Sequence, residues 1–411
     1  MMCLRQQSPC RASVPRRRVA HCGDFHYSFA MKREEVIDIT ATRPGTPGGR
    51  FMRQFWIAVQ RSEDLPSGHA KPIRIMSEDY TLYRGESGRA QVFDYRCPHR
   101  GAQLHLGWVE GDAIRCLYHG WKFDCSGQCI EMPAEEANYP RKVAAKSYPT
   151  REHMGLIFAY FGEGEPPAWP PYPAPAQDGL IHVWNVETVP CNWLQCYENT
   201  ADEVHVAFVH RPGGSHAKLA ADLPTITAEE TDWGMLRYGT RAGGQVRHTL
   251  HYMANVTRVI VPPLAGFDGV GGWQEIYFNF TPIDDETHLW LITSHVKVTG
   301  REAERFLAKK AEFLDTVRNS PKVMDLVHEV WAGRRRLIDI EHPELAMVQD
   351  IAVQAGQGRI ADRTNERLGR SDAAIILWRK ILARELAAIA EGRSTKKWRA
   401  APADVVPTLG V

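Results

Sequence analysis

Cys97-Pro98-His99 and Cys116-Leu117-Tyr118-His119 constrain this 411-residue chain more than any other feature, because each segment pairs one thiol with one imidazole. The sixteen residues 100–115 separate them. Two thiolates on one iron and two imidazoles on the other hold a [2Fe–2S] cluster of mixed ligation. Exchanging two anionic sulfurs for neutral nitrogens lowers the negative charge on such a cluster. Its potential rises to roughly −150 to +300 mV, from about −400 mV with four cysteines. A segment of this kind relays electrons. A structural zinc site also uses closely spaced Cys and His, but zinc modules usually pair Cys with Cys and His with His. Pro98, Gly101 and Gly120 suit tight loops around a cofactor, and Tyr118 and Trp121 are placed to shield it from water.

A second constellation follows in the stretch from Glu198 to His210, which holds Asp202, His205 and His210. On a helix, Asp202 and His205 are three residues apart and share a face. His210 lies five residues beyond His205, which is awkward for one regular helix. The helix is therefore expected to distort or end there, and Pro212-Gly213-Gly214 marks an ending nearby. Two histidines plus a carboxylate make the facial triad of a mononuclear non-haem iron(II) site, which keeps positions open for O2. Alone, the histidine pair fits two ordinary surface residues equally well. Its weight comes from following the Cys/His pairs.

Together the two motifs resemble the catalytic (alpha) subunit of the Rieske non-haem iron oxygenases, in particular the phthalate dioxygenase and phenoxybenzoate dioxygenase group. The resemblance implies that Cys97, His99, Cys116 and His119 hold a Rieske [2Fe–2S] cluster. It implies that His205 and His210 bind mononuclear Fe(2+). Asp202 would then not be a ligand. It would bridge His205 to His119 of a neighbouring subunit, an outer carboxylate that orients imidazoles and couples two redox centres. The third ligand would come from the C-terminal part, where Asp350 in Val348-Gln349-Asp350-Ile351-Ala352-Val353-Gln354 matches. The run Gly358-Arg359-Ile360-Ala361-Asp362-Arg363-Thr364, then Glu366-Arg367-Leu368-Gly369 and Ser371-Asp372, extends that resemblance. Asp362 competes with Asp350, but reads better as a helix-terminal carboxylate or one salt-bridged beside Arg363.

The same resemblance implies a homotrimer or stacked trimers, with electrons supplied by an NAD(P)H-dependent reductase, with or without a ferredoxin domain. O2 and a small aromatic compound, expected to be a carboxylate, would be the substrates. The outcome is ring dihydroxylation, with monooxygenation, O-demethylation or aryl-ether cleavage as the alternative within the family. A Rieske electron carrier without oxygenase activity is the more distant alternative, and it leaves His205 and His210 without a purpose. A carboxylate substrate needs a cationic partner, for which arginine is the best shaped. Arg241, Arg247 and Arg258 fall on or beside catalytic-domain strands and are the candidates, although any single one reads more readily as a surface arginine on a solvent face.

Composition narrows the rest. The formal net charge is +1 with 24% charged residues, so there is no basic field for nucleic acid. No apolar run of about eighteen residues predicts a membrane span, and a cytoplasmic protein is expected. No Gly-x-Gly-x-x-Gly follows a strand, so the chain is not expected to bind a nicotinamide or flavin itself. Cys125, Cys129, Cys191 and Cys196 read as free, reduced thiols. Residues 1–30 contain five arginines, three cysteines and one acidic residue, and are expected to be disordered. That bias suits a transit peptide, or a start codon upstream of a natural beginning at Met31.

The expected fold class is α+β. An antiparallel β domain carrying the cluster spans 51–162. A linker follows at 163–178, with six prolines between Glu165 and Ala176. Residues 179–395 are expected to form a helix-grip catalytic domain, an antiparallel sheet held by helices. In the first domain, strands are expected at Gln91–Tyr95, Ala113–Leu117 and Gly155–Phe161. In the second they are expected at Ile181–Val189, Met235–Thr240, Arg247–Pro262, Gln274–Phe280 and His288–Val298. The 3.6-residue periodicity predicts helices over Arg301–Val317 and Asp372–Ala390, the latter capped by Ser371.

Overall fold

Residues 37–408 are described by the computed structural model, apart from 137, 185–186, 212–221, 264–266 and 268. The expectations for residues 1–30 and for Pro212-Gly213-Gly214 lie outside the described residues. A short helix α1 (Pro47–Met52), capped by Thr46, leads into the first domain. There β1 (Trp56–Arg61), β2 (Ala70–Ile75), β3 (Glu78–Arg84) and β4 (Ala90–Asp94) precede four very short strands. These are β5 (Trp108–Glu110), β6 (Ala113–Arg115), β7 (Lys122–Phe123) and β8 (Cys129–Glu131), which pair in that order as a small separate sheet. β9 (Ser147–Tyr148) joins the sheet β2-β3-β4-β9, while β10 (Thr150–His153) and β11 (Leu156–Tyr160) close the domain against β1. Every pairing is antiparallel. The two Cys/His segments occupy the loops β4–β5 and β6–β7, at one end of the small sheet.

The second domain is built on one antiparallel sheet. Its strands are β12 (Leu180–Val183), β13 (Glu187–Val189), β14 (Thr225–Glu230), β15 (Gly234–Thr240), β16 (Val246–Tyr252), β17 (Val256–Val261), β18 (Gln274–Pro282) and β19 (His288–Val296). The order is β12-β19-β18-β17-β16-β15-β14, with β13 also on β19. Alternation along each strand sends successive side chains to opposite faces. On β16, His251 faces the helices and packs on Tyr197 at 5.5 Å, whereas Tyr252 faces away and stacks on Tyr172 at 5.8 Å. The helix face is covered by α2 (Trp193–Ala201), the single turn α3 (Val206–Val209), α4 (Gly300–Arg318), α5 (Val323–Trp331), α6 (Leu345–Gln354) and α7 (Ala373–Ala390). α7 buries Ile375, Trp378, Ile381, Leu382, Leu386 and Ile389, successive positions lying one, three or four residues apart along one face. Each such side chain contributes about 1.5–3 kcal/mol, and Trp378 stacks on Tyr197 at 4.6 Å to fix α2.

Several expectations change at this level. The run Arg247–Pro262 is two strands, β16 and β17, joined by a hairpin turn at Met253–Asn255. α7 starts from Asp372 rather than Ser371. α4 buries only Phe306 completely, with Leu307 exposed. The proline-rich segment is no loose connector. Tyr172 within it is fully buried against Tyr252 and Tyr277, and Trp169 lies edge-on to Trp56 at 5.0 Å. Its apolar residues belong to a second core layer between the outer sheet face and the first domain. Among the described residues, no helix is long and apolar enough to cross a membrane.

Candidate metal centres and active site

The two cluster loops close in the same way. Cys97 N–H donates to Ala102 O at 2.7 Å and Gly101 N–H donates to Cys97 O at 3.0 Å. Cys116 N–H donates to Trp121 O at 2.8 Å and Gly120 N–H donates to Cys116 O at 3.1 Å. Each five-residue reversal needs a left-handed residue four places after the cysteine, and Gly101 (φ 75°) and Gly120 (φ 73°) supply it. The cysteines point inward and are buried among Tyr83, Phe93, Leu104, Ile114 and Phe123. The Cys97 and Cys116 thiols interact directly, and burial pushes Cys97 up to about 12. A bound metal deprotonates such a thiol outright. The imidazoles form the outer pair, with His99 and His119 ring centroids 4.6 Å apart. Trp121 stacks flat on His99 at 4.2 Å, while His119 is exposed. Sulfurs paired inside and imidazoles paired outside fit a diiron cluster with one iron per pair.

Around the second constellation, α2 is capped by Asn192, whose side chain accepts from Leu194 N–H, and ends at Asp202, which has extended backbone. Asp202 and His205 therefore share no helix face, contrary to the expectation of a common helix. Instead Asp202 Oδ1 accepts from Val204 N–H at 2.7 Å and from His205 N–H at 3.3 Å, and so starts the turn into α3. That break brings His205 and His210 to the two ends of one helical turn, with ring centroids 5.6 Å apart. Asp350, from α6, completes the group. The donor atoms of His205, His210 and Asp350 all lie within 4.8 Å of one another. Asp350 Oδ1 is 3.4 Å from His210 Nε2 and 4.0 Å from His205 Nε2. Two imidazoles and one carboxylate, partly shielded from water and drawn from two elements, suit ferrous iron.

The surroundings tune these groups. Burial keeps the His205 imidazole neutral, the form that ligates. At His210, burial is outweighed by the Asp350 charge and the pKa rises. Gln349 Oε1 lies 2.9 Å from His210 Nδ1, which fixes that ring's tautomer and leaves Nε2 toward Asp350. Asn199 Nδ2 sits 3.3 Å from His205 Nε2 and 3.4 Å from Asp350 Oδ1. Asp202 Oδ2 is 3.8 Å from His205 Nδ1, beyond hydrogen-bonding distance. Sequence reasoning missed Asn199 and Gln349. Gln349 adjoins Asp350, but nothing local says its amide turns back to a histidine. Asp362 is exposed and accepts from Thr364 N–H at 2.9 Å, whereas Arg363 pairs with Glu198, not with Asp362.

The three arginines separate. Arg241 and Arg247 reach the helix face of the sheet, where both meet the carboxylate of Glu203, at 2.7 and 3.5 Å. Arg237, which sequence reasoning also missed, binds the same carboxylate. Burial alone would raise the pKa of Glu203, but the arginine charges hold it down at about 2. Burial and the two neighbouring arginines bring Arg247 down to about 10 in spite of Glu203. Arg258, the third candidate for a carboxylate partner, lies on the opposite face of the sheet. It pairs across the hairpin with Leu250 and so faces away from the helices, where it binds Glu275 at 2.6 Å and lies over Tyr277.

Comparison with known proteins agrees with both halves of this picture. Residues 55–149 match the family model described as Rieske [2Fe–2S] domain. The 5,5'-dehydrodivanillate O-demethylase oxygenase subunit of Sphingobium sp. is 31% identical over 384 residues, covering 89% of this chain and 83% of that one. The phthalate 4,5-dioxygenase oxygenase subunit of Pseudomonas putida is 29% identical over 391 residues, covering 88% and 87%. The oxygenase in the reduced oxygenase–ferredoxin complex of carbazole 1,9a-dioxygenase has the same fold, with a TM-score of 0.61 at 19% identity over 86% of this chain and 94% of that one. The chain thus belongs to the Rieske non-haem iron oxygenases, as a terminal oxygenase subunit that carries a [2Fe–2S] cluster and a mononuclear iron.

Proposed function

We propose that Cys97, His99, Cys116 and His119 hold the cluster, that His205, His210 and Asp350 hold the iron, and that the substrate is an aromatic carboxylate. The observation that carries this reading is the convergence of the His205, His210 and Asp350 donor atoms within 4.8 Å. When bound, the cluster supplies single electrons and the iron supplies a site for O2. The protein's own contribution is placement. Gln349 orients His210, Asn199 spans His205 and Asp350, and the cysteine end of the cluster is shut away from water. Electrons enter and leave by the imidazole end, from an NAD(P)H-dependent reductase with or without a ferredoxin. The ferredoxin bound to the carbazole dioxygenase oxygenase supports such a donor.

The copies are read as a head-to-tail homotrimer, single or stacked, in which His119 of one meets Asp202 of the next. Trp108, Leu117 and Tyr118 around the cluster are each about half exposed, and Phe208, between the iron histidines, is 59% exposed. Apolar surface at both ends supports mutual burial. Asp202→Asn is the test. Iron content should stay at about three per chain, while oxidation of the reduced cluster by O2 and substrate slows on the order of 100-fold. Loss of the mononuclear iron would instead make Asp202 part of its coordination.

The carboxylate reading is supported by the dehydrodivanillate and phthalate acted on by the two relatives, and by an arginine group whose charge exceeds that of Glu203. Arg247→Ala should raise KM for an acid substrate roughly 30-fold more than for its neutral analogue, the loss of one charge-assisted hydrogen bond of about 2 kcal/mol. Equal effects on the two would remove the acid.

A further inference from the structure

Three side chains that neither metal centre uses meet in the core at the start of α2. Cys191 precedes the Asn192 cap, Cys196 lies in the first turns and His288 opens β19. All are at most 1% exposed. The two sulfurs and one imidazole nitrogen lie within 4.8 Å of one another. The sulfurs are 3.9 Å apart. Two thiolates on a tetrahedral zinc, at about 2.3 Å each, sit about 3.8 Å apart, whereas a disulfide needs about 2.05 Å. His288 Nδ1 is 2.8 Å from the Cys191 carbonyl oxygen, which fixes the ring and its tautomer as an outer partner does for a ligating imidazole. Its Nε2 is buried and has no protein partner. Burial brings His288 down to about 4, so the ring is neutral.

Charge selects the metal. Net charge in a fully buried site is costly. A divalent ion with two thiolates and a neutral imidazole is neutral, while monovalent copper would leave one negative charge. Thiolate ligation and tetrahedral spacing favour zinc over ferrous iron. Among the described residues no further His, Cys, Asp or Glu joins the group.

We propose that Cys191, Cys196 and His288 form a structural zinc site, with water in the fourth position. It fastens the head of α2 to β19. Since α2 carries Asn199 and ends at Asp202, the zinc secures the helix on which the iron site is hung. Binding releases two thiol protons and forms two Zn–S bonds, with no redox change.

The test is metal analysis of the purified oxygenase with cluster and iron in place, together with X-ray absorption at the zinc edge. The expected result is about one zinc per chain beyond the iron, with two sulfurs at about 2.3 Å and one imidazole nitrogen at about 2.0–2.1 Å. The zinc should vanish in Cys196→Ala and persist in His210→Ala. If Cys196→Ala does not accumulate, His288→Gln should lower zinc content about tenfold. Zinc surrounded only by nitrogen and oxygen would place it in the iron site and overturn the proposal. So would the absence of zinc from protein produced in zinc-supplemented medium. Iron is counted in the same sample, so failure here leaves the iron reading standing.

Discussion

Replacing Asp350 with alanine lowers the iron content from about three per chain to about two, leaves the visible spectrum of the [2Fe–2S] cluster unchanged and abolishes turnover. The reasoning starts from the ligand set. His205 and His210 supply imidazole donors at the two ends of a short, largely buried turn, and among the described residues Asp350 is the only carboxylate brought within 4.8 Å of both. Without it, a divalent ion sits between two imidazoles with no charge to balance it. Removing even an outer partner costs 10–100-fold in affinity or activity, so loss of the anionic ligand should cost at least on the order of 1,000-fold. The cluster lies in a different domain, on loops whose hydrogen bonds are all local, and should not respond. Asp362→Ala is the matched control, because Asp362 is exposed and serves its own turn at Thr364. Iron retained at three per chain in Asp350→Ala, or lost in Asp362→Ala, would reassign the third ligand.

What the sequence made legible was whatever sits close together along it. Each cluster loop is five residues long, so Cys97, His99, Cys116 and His119 announce their chemistry through spacing alone. Asp202, His205 and His210 do the same, although the helix breaks at Asp202, before His205, and not between the two histidines as their spacing suggested. Partners from distant elements were hidden. Asn199 shows its role only when α2 is laid against α6, and Gln349 only when α6 is turned toward α3. Arg258 went astray for a definite reason. The turn at Met253–Asn255 contains neither glycine nor proline, so the run looked like one strand and its faces could not be tracked across the bend. Once the hairpin pairs Leu250 with Arg258, Arg258 must share the face of Leu250 and oppose that of Arg247. The proline-rich segment was misread in a similar way. Its prolines exclude helix and ladder, but they do not prevent Trp169 and Tyr172 from binding a hydrophobic face.

Glu203→Gln should destabilise the fold by about 3–5 kcal/mol, the cost of leaving buried charge without its counter-ion. Three guanidinium groups, from Arg237, Arg241 and Arg247, converge on this fully buried carboxylate. A neutral amide leaves them facing each other across a water-poor space. Because Glu203 stands between Asp202 and His205 in the chain, the same change should loosen the turn into α3 and weaken iron retention. Two further readouts separate charge from shape. Removing one cation in the Glu203→Gln background, as Arg247→Met, should recover part of the loss, since it relieves the like-charge crowding that, after burial, helps bring Arg247 down to about 10. The pH dependence is the second. The Glu203 carboxylate is held at about 2 in the folded state, against roughly 4.3 when unfolded. Its contribution is therefore complete above about pH 4.3 and fades as pH falls toward 2. The stability gap between wild type and Glu203→Gln should narrow over that interval. A gap below about 1 kcal/mol at neutral pH, or one that does not close in acid, would mean that the arginines are held by their other hydrogen bonds, Arg237 to Thr249 and Arg247 to the carbonyl of Ile260, rather than by the carboxylate.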